Sequence, residues 1–280
     1  MSRTQWPVLV GDDIATTRDA VHAYSQVVGA WLEACRPRRK HWWHISLRPT
    51  VRGLTTGPVH AEIDFEFELD LQASRLLGRV AGGNDLEVQL IGQAPASLAA
   101  AMQQYLRDAG LPPERTPAGD ANEMPPTDGY TPAAAQQIAL TWAAVSGALA
   151  TLRAGIPEET SPIQLWPHHF DLSMVWLPGE KIRGQDPADE EHSDKQMNFG
   201  FALGDGSIPE PYFYITAYPE PEAFASLSLP TGARWMNEGF SGAVLLYRDL
   251  LAHDGPESAL LNLWRELIAA GHKHLLKMRG

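Results

Sequence analysis

Glu62-Ile63-Asp64-Phe65-Glu66-Phe67-Glu68-Leu69-Asp70-Leu71 alternates acidic and apolar residues without a break. Successive side chains on a strand point to opposite faces, so this period of two predicts a strand with one face in a core and the other in water. A sheet that is wet on one side is usually antiparallel. The acidic residues on that wet face recur at about 6.6 Å, too wide to share one cation. Working outward, residues 75–81 and 86–91 read as further strands joined through Gly82-Gly83-Asn84, a hairpin signal. Leu98, Met102, Tyr105 and Ala109 then mark a helix that ends at Gly110.

Upstream, Val21, Tyr24, Val28, Trp31, Leu32 and Cys35 recur at three- and four-residue steps after Asp12 and Asp13. They predict an amphipathic helix, capped by one of those aspartates and stopped by Pro37. Trp43, Ile45 and Leu47 alternate with His44, Ser46 and Arg48, the pattern of a strand.

The same order recurs later. Thr131-Pro132 opens a helix with Ile138, Trp142, Val145, Leu149 and Leu152 on one face. Phe170, Leu172, Met174 and Trp176 alternate with His169, Asp171 and Ser173, and strands follow around Phe199 to Leu203 and Tyr212 to Tyr218. A short strand over residues 243–246 runs into a helix, and a last helix begins near Pro256. The expectation is an α+β fold of two similar helix–antiparallel-sheet–helix halves. These are residues 1–111 and 132–280, joined by a Pro/Gly-rich connector over 112–131, and they suggest an internal duplication with a pseudo-twofold arrangement in one compact unit. Both long helices carry a small-residue step, at Gly29 and Gly147, which predicts a close packing contact at each.

The chain has 280 residues and a formal net charge of −12, from 22 basic and 34 acidic side chains. That balance argues against nucleic acid as a partner, the basic run at residues 36–40 being the exception. A single cysteine excludes a disulfide framework. No apolar stretch reaches the roughly 20 residues of a membrane span, so the expected location is cytoplasmic. Walker, dinucleotide and Gly-x-Ser-x-Gly motifs are absent from the sequence, and no nucleotide cofactor is expected.

His41-Trp42-Trp43-His44-Ile45-Ser46-Leu47, then Arg52-Gly53-Leu54-Thr55-Thr56-Gly57-Pro58, resembles a bacterial family catalogued as domain of unknown function 5996. The resemblance continues at Phe170-Asp171-Leu172 and at Pro209-Glu210-Pro211-Tyr212-Phe213-Tyr214. His168-His169 resembles a subset of that family with the motif Trp-Pro-x-His-Phe-Asp. The resemblance implies a bacterial cytoplasmic protein and brings no activity with it.

The residues supply the candidate chemistry. On a regular strand His169 and Asp171 share a face, and the repeat pairs His44 with His169. Two imidazoles and a carboxylate would suit iron, manganese or zinc, or act without metal as an acid–base group; the alternative is a polar contact beside tryptophans. Residues 52–58 offer Arg52, Thr55 and Thr56 either to an anion or to a structural turn. Trp42, Tyr212 and Tyr214, with Glu210 between two prolines, either line a ligand pocket or cover a sheet edge. Asp186, Asp189, Glu190, Glu191, His192 and Asp194 form a polar loop that could act as a lid. Two functions follow. One is an enzyme acting on a small molecule through His44, His169 and Asp171, and the other is a non-catalytic module binding a small molecule or a protein on an aromatic surface.

Overall fold

A computed structural model describes residues 6–119, 121–189 and 192–276. Along the chain run α1 (Ile14–Cys35), β1 (Arg48–Pro49), β2 (Gly53–Thr55), β3 (Val59–His60), β4 (Asp64–Asp70), β5 (Arg75–Val80), β6 (Leu86–Gln89) and α2 (Pro95–Asp108). Then come α3 (Pro132–Ala154), β7 (Glu159–Thr160), β8 (Gln164–Trp166), β9 (Asp171–Leu177), β10 (Gln196–Ala202) and β11 (Tyr212–Tyr218). The chain closes with β12 (Ala233–Met236), β13 (Gly242–Leu246), α4 (Tyr247–Leu251) and α5 (Pro256–Ala270). This is an α+β protein with two antiparallel sheets. Two compact units share it, the first made of residues 7–144 and 164–170, the second of Trp6, 145–163 and 171–276. The division falls inside α3.

In the first unit the strands follow the order β1-β2-β4-β5-β6, with β3 also on β4. Phe65, Phe67 and Leu69 are buried, as their alternation requires, while Glu66 and Glu68 are half-buried. Asp70 departs from the wet face at 1% exposed, because two arginines converge on it. Helix α1 lays Trp31 edge-on to Phe65 at 6.5 Å. Asp13 is its N-cap residue but makes no side-chain cap bond. Its carboxylate instead accepts the Thr131 hydroxyl, and that hydroxyl accepts the Ala134 N–H at 3.3 Å to cap α3.

The strand expected from Trp43 to Arg48 does not form. Residues 43–45 turn, and regular pairing begins only at Leu47, which bridges Leu165. Local bonds outcompete the ladder here. The Ser46 hydroxyl donates to the Trp43 carbonyl at 3.0 Å, the Arg39 N–H donates to His44 Nδ1 at 3.3 Å, and His41 and Trp42 are left-handed at φ 50° and 56°.

In the second unit the order is β12-β13-β11-β10-β9-β7, with antiparallel pairing throughout. Here β13 lies inside β12, whereas the first unit's main path keeps chain order, so the two strand orders are not the same. One face carries Phe199, Phe201 and Phe213 against Trp264 of α5 and against Trp6 and Tyr247. All seven residues of β9 are buried. That strand begins at Asp171, not at His169, which lies in the turn over 167–170 with Phe170 left-handed at φ 55°.

Candidate functional site

The opposite face of the second sheet is polar and aromatic, and its register explains how. Asp171, Ala202, Tyr212 and Leu246 align across β9, β10, β11 and β13, and Ser173, Gly200, Tyr214 and Val244 form the next row. Residues two apart on a strand share a face, so both rows look the same way. The middle strand contributes only Gly200 and Ala202 to these rows. A Cβ at Gly200 would lie 2.2 Å from Tyr214 Cζ and 2.4 Å from its hydroxyl, so the tyrosine ring lies directly over the glycine. That placement carries the hydroxyl across β10 to donate to Asp171 Oδ2.

Tyr212 donates to Asp205 Oδ2 at 2.5 Å, while Asp205 Oδ1 accepts the N–H groups of Ser207 and Ile208 at 2.7 and 2.9 Å. Phe240 stacks on Tyr212 at 6.4 Å and meets Tyr214 edge-on at 6.2 Å. Ile208, Val244, Leu246 and Met236 complete the apolar surround. Burial, with Asp171 behind it, pushes the Tyr214 phenol well above its ordinary range. Burial and then Asp205 do the same for Tyr212. Both phenols therefore stay protonated donors at neutral pH.

The structure thus joins Asp171 to Tyr214, with Tyr212 alongside. Glu210 instead forms an exposed ion pair with Arg248 at 2.5 Å. In the first unit, His44 is buried with its ring 5.7 Å from that of Trp42. His169 is exposed, its ring 4.6 Å from that of His168. Among the described residues, no three His, Cys, Asp or Glu side chains come together in a metal-holding group; His44 and His169 belong to the first unit and Asp171 to the second.

Residues 52–58 are committed to the fold. The Arg52 guanidinium holds Asp70 at 2.9 and 2.8 Å, Thr55 donates to Glu66 at 2.6 Å, and the Thr56 hydroxyl accepts the Phe67 N–H at 2.9 Å. A Cβ at Gly53 would fall 2.1 Å from the Leu69 carbonyl, so this glycine serves a close strand approach. In the polar loop, Asp189 accepts the His192 N–H and Lys181 pairs with Asp194 at 2.6 Å; Glu190 and Glu191 lie outside the described residues.

Sequence reading missed Gly200, Asp205, Phe240 and His22. Gly200, between Phe199 and Phe201 in a strand, carried a signal, since a strand glycine marks close approach by a ring or backbone. His22 donates to the Pro167 carbonyl at 2.8 Å and stacks on Phe170 at 4.6 Å, a long-range placement no local pattern encodes.

Fold and site together define an α+β protein of two antiparallel sheets, one bearing a tyrosine–carboxylate face. Among the described residues no helix is long and apolar enough to cross a membrane. Residues 6–275 match a family of unknown function (DUF5996), and the chain belongs to that family. No curated protein and no solved structure matches it.

Proposed function

We propose that this protein binds a small organic molecule with a cationic head on the Asp171–Tyr214 face, without catalysing its conversion. The observation that carries this reading is the Asp171 carboxylate, 8% exposed, on the sheet face shared with three aromatic rings. A carboxylate accepts at several lone-pair positions, so receiving Tyr214 still lets it receive a ligand donor. The π faces of Tyr212, Tyr214 and Phe240 attract a cation in the same direction. Binding is preferred to catalysis because both phenols on this face are held protonated, far from a pKa suited to proton transfer at neutral pH.

Calorimetry with a panel of small primary and quaternary amines, each matched to a neutral alcohol of similar shape, tests the reading. At least one amine should bind the wild-type protein, at least tenfold more tightly than its matched alcohol, and Asp171→Asn should remove that preference. A panel in which no amine binds, or in which Asp171→Asn binds as well as wild type, would overturn it.

A further inference from the structure

The three arginines of the basic run in the first unit divide into one that builds a loop and two that the loop presents. Arg36 is the builder. Its guanidinium donates to the carbonyls of Thr56 at 2.7 Å, Pro58 at 3.1 Å and His44 at 3.5 Å. Arg38 and Arg39 are exposed, and among the described residues neither forms an ion pair. In a chain of net charge −12, two adjacent arginines with no carboxylate partner among the described residues are a local reversal of sign.

Between them and the core lies the most strained stretch of the loop. His41 and Trp42 follow one another in the left-handed region, which bulky side chains rarely enter. Backbone strain of this kind persists only where surrounding bonds over-determine it, and it gathers at binding sites. Here the Arg36 contacts, the Arg39 N–H to His44 bond and the Trp43 N–H to Lys40 carbonyl bond at 3.2 Å supply that surround. The strained geometry displays Trp42, which stays 37% exposed although Trp is a residue that folding normally buries. The Arg38 guanidinium sits 4.9 Å from the indole centroid.

We infer that Trp42, Arg38 and Arg39 form a second binding site, for a planar aromatic anion. The Arg38 guanidinium lies over the indole and the His44 ring stacks at 5.7 Å, so a flat ring extends this stack on Arg38 while its carboxylate or phosphate takes the guanidinium fork of Arg39. A small ligand fits better than a polyanion, because net charge −12 repels a long phosphate chain more than a single anionic group.

The test is calorimetry at low salt with naphthoate and adenosine monophosphate as probes. Cyclohexanecarboxylate serves as the non-aromatic anion and naphthalenemethanol as the neutral ring. At least one aromatic anion should bind at least tenfold more tightly than both controls, and which one does so identifies the anionic group. Trp42→Ala and Arg38→Ala should each weaken it at least tenfold, and raising salt should weaken it in the wild type. Trp42→Gly guards against a folding artefact, since glycine accepts φ 56° without strain. It should lose the ligand without lowering the thermal midpoint. The inference fails if neither aromatic anion outbinds the controls or if Trp42→Gly binds as wild type does. It also fails if a single-stranded oligonucleotide binds more tightly than the mononucleotide.

Discussion

At the scale of single residues, the face around Asp171 depends on what is missing at position 200. With Gly200 in the middle strand, the Tyr214 ring crosses it; with any side chain there, the phenol could not reach Asp171. Asp171, Tyr212 and Tyr214 were legible in the sequence because strand alternation and residue chemistry are local properties. The histidines were not. His44 and His169 lie in turns set by left-handed neighbours, Trp42 and Phe170, which a period of two reads as strand. His22 gives a pH prediction. Burial is the main cause that lowers its pKa from the usual 6.5, so the fold prefers the neutral ring. The stability this contributes is complete above pH 6.5. It falls as pH drops below that value, and is fully lost below the folded pKa. Urea unfolding of wild type against His22→Gln, which keeps an N–H donor for Pro167, should show the wild type losing more stability between pH 7 and pH 5. Parallel curves would refute this.

At the scale of elements, the helices were the most readable part. Trp31 and Trp142 are 3% and 1% exposed, as their three- and four-residue steps demand. Helix α2 added Leu106 to the expected face, and α1 surrendered its expected aspartate cap to a partner 118 residues away. Short strands such as β2, β3 and β12 escaped notice because two to four residues carry no period. The shared glycine step resolves into two different things. A Cβ at Gly29 would lie 2.7 Å from Pro167 Cγ, whereas at Gly147 it would meet nothing within 4 Å. Gly29→Ala should therefore destabilise by about 1–3 kcal/mol through overpacking. Gly147→Ala should stabilise by about 0.5–1 kcal/mol, the helix-propensity difference alone. Denaturant midpoints of the two variants check the opposite signs, and shifts of one sign would show that the steps had been misread.

At the scale of the molecule, composition announced an acidic globular protein and the order of elements announced two sheets. The limits of the units were beyond reach, because the first unit recruits residues 164–170 from far along the chain. Contacts inside that unit span the connector many times. Val10 donates to Gln137 at 3.0 Å, Gln136 to the Gln72 carbonyl at 3.2 Å, and His22 to Pro167. A gene split between Pro117 and Ala118 should thus yield two polypeptides that copurify as one particle when expressed together, and a first fragment that precipitates or unfolds when expressed alone. Recovery of a stable, soluble 1–117 fragment would contradict this. The interleaving bears on inheritance as well as on stability. A single crossover after Phe170 would carry the whole first unit but take residues 145–163 of the second with it, so no one crossover separates the two units and leaves both intact.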